Sequence, residues 1–250
     1  MAVSRKKAAF IRSLHLKKYR KLEQCFIVEG AKSVQELLAS DFEVALLLAT
    51  KEFRARIELP SGTEFVEVNA NEFASLGEYQ SNDSALAVAR IETFKDLEID
   101  SDEFGLVLDD IRDPGNLGTI IRTADWFGIN KVFASEETAD FYSPKVIAAT
   151  MGSFTRCKFL YTDLSTYLKS KNGTRMFGAF LDGKDVHTVD FGSGGLLVIG
   201  NESRGISNEL ADFITDRITI PKYGRAESLN AAMATGIICD NLRRDEEQRK

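Results

Sequence analysis

The sequence predicts an α/β protein of two parts, in which a small α/β domain precedes a larger α/β domain built on a parallel sheet. Apolar runs such as FGLVLDD and LLVIG alternate with amphipathic segments in the second half, as in parallel sheets covered by helices on both faces. A carboxylate-rich stretch with few packing residues, TFKDLEIDSDEF, interrupts this pattern. Because such composition is typical of linkers, we expect domains at residues 1–95 and 104–250.

The elements of the first domain begin with a helix predicted from residue 5 to about residue 22. Its apolar residues Phe10, Ile11 and Leu14, with Leu22 as a further candidate, are expected to form one buried stripe, and basic residues occupy the rest of its surface. The strands predicted after it are CFIVEG, VALLLAT, EFVEVN and ALAVARI, and the helices are KSVQELLAS and the short NEFASLG.

The second domain alternates apolar strands with amphipathic helices as far as a long final helix. Its predicted elements are, in chain order, FGLVLDD, NLGTIIRTADWFG, KVFAS, SPKVIAATMG, CKFLYT, DLSTYLKSK, RMFGAF, LLVIG, GISNELADF, RITI and SLNAAMATGIICDNLRR. Ligands of such sheets bind beyond the carboxyl ends of the strands, so the loops that follow the strands are the candidate site.

Charge is distributed unevenly along the 250 residues. The whole chain carries −6, but residues 1–32 carry +7 and the remainder therefore −13. This asymmetry predicts a local anion-binding face near the N-terminus. Its candidate RNA-binding residues are Lys17, Lys18, Arg20 and Lys21, and the alternative is an ordinary solvated helix surface.

Other function classes find little support in the sequence. Three separated cysteines and two histidines without ligand-like neighbours argue against a zinc site or a disulfide framework. No apolar run has the length of a signal peptide core or a membrane span, so we expect a cytoplasmic protein without a metal and without membrane contact.

Three polar loops with glycines follow predicted strands of the second domain: DDIRDPGNLGTIIRTADWFG, VIGNESRGIS and ITIPKYGRAESLNAAMATG. None contains the glycine pattern of a dinucleotide fold or a P-loop. This absence disfavours a nucleotide-dependent enzyme of those classes. Loops from separate strands can instead converge on one pocket and hold a small ligand through backbone groups.

The segments NLGTIIRTADWFG, GNESRGIS and IPKYGRAESLN resemble, in order and spacing, the three motifs of the SpoU-like (TrmH-like) branch of the SPOUT RNA methyltransferases. The segment FIVEGAKSVQELLAS resembles the small RNA substrate-binding domain, similar to ribosomal protein L30e, that many of these enzymes carry. Departures occur at Ala148 and Thr150, where the family often has Arg and Ser, and in GEYQSNDSALAVARI.

The resemblance implies a 2′-O-ribose methyltransferase that uses S-adenosylmethionine, releases S-adenosylhomocysteine and acts on ribosomal or transfer RNA. It also implies a deep trefoil knot in the second domain and a homodimer. The apolar residues of the NLGTIIRTADWFG helix, including Trp126, and of the last helix predict that the homodimer interface uses these two helices. The cofactor-binding residues that the resemblance implies are Ile199, Gly200, Asn201, Gly205, Ile220, Pro221, Ser228 and Leu229.

The candidate catalytic residues are Asn116, Arg122, Glu202, Ser228 and Asn230. Asn116 and Arg122 are expected to face the ribose. Glu202 is expected to orient neighbouring loops or the substrate end of the pocket, and Asn230 to make a polar contact at the site. Each has a structural alternative: Asn116 and Ser228 as helix N-caps, Arg122 as a surface helix residue, and Glu202 as a solvated loop residue.

The sequence leaves three matters open. It does not identify the methylated RNA or nucleotide, the proton acceptor, or whether the basic N-terminal helix contacts RNA directly. The competing function is an RNA-binding ribosome-assembly protein with a decayed methyltransferase site, which cofactor binding would separate from an enzyme.

Overall fold

The computed structural model describes residues 3–73, 76–77 and 84–248, and it describes residues 70, 71 and 246–248 by their backbone alone. The strands are β1 (Cys25–Glu29), β2 (Val44–Ala49), β3 (Glu64–Glu67), β4 (Ala85–Arg90), β5 (Phe104–Leu108), β6 (Lys131–Ala134), β7 (Lys158–Tyr161), β8 (Met176–Asp185), β9 (Gly195–Ile199) and β10 (Asp216–Thr219). The helices are α1 (Arg5–Ser13), α2 (Lys17–Glu23), α3 (Ala31–Leu38), α4 (Lys51–Arg54), α5 (Ala70–Phe73), α6 (Pro114–Trp126), α7 (Pro144–Thr150), α8 (Leu164–Ser170), α9 (Asn208–Ala211) and α10 (Ala231–Gln248).

The chain divides into two compact units. The first comprises Met1–Glu92 together with Asp140–Thr155, and the second comprises Thr93–Ala139 and Arg156–Lys250. The break near residue 92 lies close to the predicted end of the first domain. The predicted second domain, however, contained residues 140–155, which the structure assigns to the first unit.

The first unit contains a four-stranded sheet of order β1-β4-β2-β3, in which β2 and β3 are parallel and the other pairs antiparallel. Residues 140–155 belong to it because their aromatic side chains pack on β1. The ring of Phe26 lies 4.6 Å from that of Tyr142 and 5.8 Å from that of Phe154. The Tyr142 hydroxyl also donates to the Glu92 carbonyl at 2.9 Å.

The single helix predicted over residues 5–22 is wrong, because the structure contains two helices there. The first ends at Ser13 and the second begins at Lys17, with Leu16 in an extended conformation between them. The buried stripe of Ile11 and Leu14 is present, whereas Leu22 is 68% exposed. In the departing segment GEYQSNDSALAVARI, residues 78–83 lie outside the described residues, as do residues 74 and 75 of the predicted NEFASLG helix.

The second unit contains the predicted parallel sheet, with six strands in the order β10-β8-β9-β5-β6-β7. Helices α8 and α9 contribute Leu168 and Leu210 to a core on the sheet, where they join Val107 and Val198. Helices α6 and α10 pack on each other. Strand β8 extends five residues beyond the predicted RMFGAF.

The loops after β5 and β9 leave the sheet side by side. The two strands are parallel neighbours, and Leu108 pairs with Ile199 at their ends. From β5 the chain continues to its neighbour β6 on one side. From β9 it continues in the opposite direction to β10, which lies beyond β8. This is the kind of switch in strand order at which open α/β sheets bind ligands.

Candidate functional site

A cavity of about 810 Å³ lies in the second unit beyond the carboxyl ends of the strands. Its walls come from the outer part of β8, the loops after β9 and β10, and the start of α10. Cavities of this size hold small organic ligands. All eight predicted cofactor-binding residues line this one cavity: Ile199, Gly200, Asn201, Gly205, Ile220, Pro221, Ser228 and Leu229.

The cavity has apolar walls with charged residues among them. Ile199, Ile218 and Ile238 are almost fully buried beneath it. The charged lining residues are the carboxylates Asp182, Glu202 and Glu227 and the cations Arg204 and Lys222. Carboxylates therefore outnumber cations around the cavity.

Gly200 is required by the shape of its own loop. A β-carbon at this position would lie 2.2 Å from the Gly205 carbonyl carbon and 2.2 Å from the Ile206 nitrogen. Asn201 and Gly205 exchange backbone hydrogen bonds of 2.9 and 3.0 Å, which fold the loop back on itself. Close backbone approach thus explains Gly200, and the approaching backbone is that of the chain itself.

A chain of hydrogen bonds joins the three polar motifs. The Asn116 side-chain nitrogen donates to the Glu202 carboxylate at 2.8 Å. The Asn116 side-chain oxygen accepts from the Asn230 side-chain nitrogen at 2.8 Å. Asn116 lies on α6, Glu202 in the loop after β9, and Asn230 immediately before α10. Asn116, Glu202 and Asn230 are joined by these hydrogen bonds, and Ser228 lines the cavity. The structure thus brings together four of the five predicted catalytic residues.

The helix caps differ from the predicted alternatives. Asp113 caps α6 by accepting from the Asn116 backbone amide at 2.8 Å, and Pro114 occupies the first helical turn. Asn116 is therefore inside the helix, where its side chain is available for the site. Asn230 rather than Ser228 caps α10, because its side-chain oxygen accepts from the amides of Ala232 and Met233 at 2.9 and 3.3 Å.

Arg122 is exposed, and its side chain makes no hydrogen bond or ion pair with any residue that the structure describes. It follows Asn116 by six residues on the same helix, which turns it by about 120° from Asn116 around the helix axis. It precedes Trp126 by four residues and so shares a face with this tryptophan, which is 84% exposed. Within one subunit, Arg122 therefore lies on an exposed face of α6 and takes no part in the hydrogen bonds around Asn116.

The structure places the four predicted RNA-binding cations differently. Lys17, Lys18 and Lys21 are exposed on α2. Arg20 is 3% exposed, and its guanidinium donates to the carbonyls of Leu14 and His15 and to the Asp140 carboxylate. Its assignment to an RNA-binding surface is wrong, because its charge is neutralised inside the first unit.

Two carboxylates after β5 organise the loop that follows β9, and the sequence analysis did not single them out. The buried Asp109 accepts from the Ser207 amide at 2.7 Å. Asp110 accepts from Arg112 and Arg204 at 2.6 Å each. Consecutive carboxylates at the end of an apolar strand were the available signal, but their partners in the loop after β9, Arg204 and Ser207, lie more than ninety residues away along the chain.

The cysteines are poorly suited to nucleophilic chemistry. Cys25, Cys157 and Cys239 are all buried, and burial raises the pKa of each thiol, that of Cys239 to about 12. Since the thiolate is the reactive form, these residues are inert near neutral pH. Within the described ranges, no group of three or more His, Cys, Asp or Glu is arranged to hold a metal ion.

Comparison with known proteins places this geometry in a family. Residues 103–240 match the model of the SpoU rRNA Methylase family, and residues 6–87 match an MRM3-like substrate binding domain. The chain therefore belongs to the SpoU rRNA Methylase family, which confirms the family predicted from the three motifs.

Similar proteins span almost the whole chain. The 23S rRNA (guanosine(2553)-2′-O)-methyltransferase RlmP of Bacillus subtilis is 30% identical over 93% of this chain and 94% of its own. A Porphyromonas gingivalis structure assigned to the TrmH family of RNA methyltransferases is 37% identical, with a TM-score of 0.88 over 98% of this chain and 99% of its own. An AdoMet-bound rRNA methyltransferase of Sinorhizobium meliloti is 29% identical, with a TM-score of 0.88 over 98% and 96% of the two chains.

None of the helices in residues 3–73, 76–77 and 84–248 combines the length and apolar character that crossing a membrane requires.

Proposed function

We propose that the protein transfers a methyl group from S-adenosylmethionine to a ribose 2′-hydroxyl of ribosomal or transfer RNA. The observation that carries this proposal is the single cavity walled by the residues of the second and third motifs. The first motif is joined to it through the Asn116 side chain. The Bacillus subtilis relative is a 23S rRNA 2′-O-methyltransferase and the Sinorhizobium meliloti rRNA methyltransferase binds AdoMet, which supports the same chemistry here.

The residues of the cavity fit the cofactor in size and charge. A volume of about 810 Å³ accommodates a nucleoside with an amino-acid side chain. Ile199, Ile220 and Leu229 offer apolar contacts to a base, and the excess of carboxylates suits a ligand with a sulfonium and an ammonium group. When bound, the cofactor supplies an electrophilic methyl carbon.

The reaction requires the loss of one proton. The ribose oxygen forms a bond to the methyl carbon while the carbon–sulfur bond breaks and its electron pair stays on sulfur. The hydroxyl proton must leave, so negative charge develops on the oxygen and has to be stabilised. Asn116 is held at both ends of its side chain by Glu202 and Asn230, and this fixed amide positions the ribose.

Arg122 stabilises the developing charge as a cation. A guanidinium is always charged near neutral pH and presents planar donors that match a phosphate or an alkoxide. It therefore grips a phosphate and polarises the hydroxyl, while the proton passes to a substrate phosphate or to water. Ser228 and Asn230 complete the wall beside the reacting groups.

Arg122 contributes to the site around Asn116 of a second subunit rather than to that of its own. Trp126 is 84% exposed on α6 and Met233 is 61% exposed on α10. A tryptophan and a methionine exposed on two packed helices are typical of an interface core. We expect a homodimer through this face, in which Arg122 of each subunit completes the site formed around Asn116 of the other.

Three further parts of the proposal follow from family membership. The second unit is tied in a deep trefoil knot, the first unit serves as the RNA substrate-binding domain, and the enzyme works in the cytoplasm. The exposed Lys17, Lys18 and Lys21 of α2 supply cations for the RNA backbone.

Two measurements test the function. Calorimetry with S-adenosylmethionine and S-adenosylhomocysteine should show binding of both, and its absence at millimolar ligand would refute the cofactor assignment. Mapping of 2′-O-methyl groups in RNA from cells with and without the gene should reveal a nucleotide that loses its methyl group. The absence of both cofactor binding and a lost methyl group would favour a ribosome-assembly protein with a decayed methyltransferase site.

A further inference from the structure

Asp110 joins two arginines at the edge of the cavity. Its carboxylate accepts from Arg112 Nε and from a terminal nitrogen of Arg204, both at 2.6 Å. The Asp110 side chain is 15% exposed, whereas those of Arg112 and Arg204 are 61% and 68% exposed. A shielded carboxylate thus holds two guanidiniums that face the solvent.

The backbone of Asp110 is fixed in an unusual conformation. Its φ angle is +59°, in the left-handed region that residues with a β-carbon rarely adopt and that Asp tolerates better than most. The Asp110 amide donates to the Ser135 hydroxyl at 3.0 Å, and its carbonyl accepts from the Asn201 side chain at 2.8 Å. Both contacts set the direction of the carboxylate, and hence the position of the two arginines.

The arrangement leaves positive charge and unused donors. One carboxylate against two guanidiniums gives a net charge of +1. Each guanidinium has five N–H donors, and the bond to Asp110 is the only hydrogen bond that either makes with the described residues. The bond to Asp110 also raises the pKa of Arg112. Two planar cations with free donors match the geometry of a phosphate.

The position of the pair relates it to the reaction. Arg204 lines the cavity and follows Glu202, the partner of Asn116, by two residues. Arg112 precedes Asn116 by four residues at the entrance to α6. An RNA whose ribose lies at Asn116 carries one phosphate on each side of that ribose, within reach of long side chains from these positions.

We propose that Arg112 and Arg204, positioned by Asp110, bind one backbone phosphate of the substrate RNA next to the methylated nucleotide. This inference rests on the proposed function, since it assumes that the cavity holds the methyl donor. The competing role is purely structural, in which Asp110 and Arg204 only fix the loop around the cofactor.

The test compares Arg112→Gln, Arg204→Gln and the double variant in binding a fluorescein-labelled twelve-residue oligouridylate at several salt concentrations. Loss of one phosphate contact should make the slope of log affinity against log salt shallower by about 0.7. Affinity at low salt should fall about tenfold, as expected for one charged contact. The double variant should lose little more than either single variant, because both arginines hold the same phosphate.

Controls separate the phosphate site from loop structure. Arg175→Gln removes an arginine that pairs with Asp216 at the amino ends of the strands, and it should leave the slope unchanged. Arg112 does not line the cavity, so Arg112→Gln should keep S-adenosylmethionine affinity within twofold in calorimetry. Asp110→Asn retains both arginines and a residue that tolerates the left-handed backbone, and its slope should match or exceed that of the wild type.

Each outcome decides between the two roles. Unchanged slopes for Arg112→Gln and Arg204→Gln, or equal losses of RNA and cofactor affinity in Arg112→Gln, overturn the phosphate site. Failure of the unaltered protein to bind S-adenosylmethionine would instead refute the proposed function, whatever the oligouridylate slopes are.

Discussion

Asn116 and Asn230 are hydrogen-bonded to each other at 2.8 Å although 114 residues separate them in the chain. Asn230 also caps α10 through its side-chain oxygen, and Asn116 holds Glu202 through its amide. One pair of amides therefore fixes the start of α10, the first turns of α6 and the loop after β9 relative to one another.

The first prediction concerns this pair. Asn116→Ala should lower methyl-transfer turnover by one to two orders of magnitude, because a hydrogen bond to the charged Glu202 is worth about 1.5–3 kcal/mol. Asn230→Ala should lower turnover by up to about tenfold, because it removes a bond between neutral amides worth about 0.5–1.5 kcal/mol. The double variant should lose less than the sum of the single losses, since the residues act as a unit. Asn208→Ala, at an exposed position at the start of α9, is the control. Fully additive losses would contradict the coupling.

The second prediction concerns Arg122. Arg122→Ala should lower turnover by orders of magnitude and leave S-adenosylmethionine affinity within a few-fold, while Arg122→Lys rescues little because an ammonium lacks the planar fork. Near-normal single-turnover methylation by Arg122→Ala would make Arg122 a mere surface residue.

Mixing inactive variants tests whether Arg122 acts on the neighbouring subunit. Arg122→Ala and Asn116→Ala subunits, refolded together, should recover about a quarter of wild-type activity, because half of the dimers are mixed and each has one complete site. Refolding of each variant alone is the control. No recovery in a mixture shown to contain mixed dimers would place Arg122 and Asn116 in one subunit.

The third prediction addresses the dimer itself. Trp126→Glu and Met233→Glu put a charge into the proposed interface and should convert the dimer to a monomer at micromolar concentration. Leu22→Glu changes a leucine that is 68% exposed in the first unit and should leave the dimer intact. Light scattering measures the mass of each variant, and a monomeric wild-type protein would end the proposal.

The fourth prediction concerns the loop after β9. Gly200→Ala places a β-carbon 2.2 Å from two backbone atoms, so the loop must shift and S-adenosylmethionine affinity should fall more than tenfold. Overpacking of this kind costs about 1–3 kcal/mol. Gly224→Ala also lies on the cavity wall, but its β-carbon would meet no atom within 4 Å. Calorimetry should therefore find nearly normal affinity for Gly224→Ala, and equal affinities for the two variants would argue against this account of Gly200.

The fifth prediction separates the exposed lysines of α2 from the buried arginine. Changing Lys17, Lys18 and Lys21 together to Glu should weaken RNA binding and flatten its salt dependence, while cofactor binding and thermal stability stay close to normal. Arg20→Gln should instead destabilise the protein, because it leaves the Asp140 carboxylate without its cation. An unchanged salt slope in the lysine variant would indicate an ordinary solvated surface.

The sequence predicted the elements of the parallel sheet and the loops that form the cavity. Buried parallel strands are continuous apolar runs, and the glycines and polar residues after them mark the loops. The glycine pattern could not show that Gly200 is pressed against Gly205 and Ile206, because that contact depends on how the loop folds back.

Local chain geometry and one long-range partner account for the differences between prediction and structure. Leu22 lies at a helical spacing of two turns from Leu14, beyond the break between α1 and α2, so periodicity alone predicts one helix. Arg20 lies among surface lysines in sequence, and only its partner Asp140, 120 residues away, shows that it is buried. The alternative role of Asn116 as the cap of α6, suggested because amides often cap helices, does not apply, because Asp113 before Pro114 occupies that position.

The inclusion of residues 140–155 in the first unit limits how this protein can be divided or exchanged with others. A fragment that ends at residue 95 would expose the Phe26 ring and leave the Arg20 guanidinium without Asp140. Loss of one partner of a buried ion pair costs about 3–5 kcal/mol, a large share of the stability of a small domain. The N-terminal unit is therefore not a detachable module, and a chimaera that grafts it onto another catalytic domain must carry two separate pieces of chain.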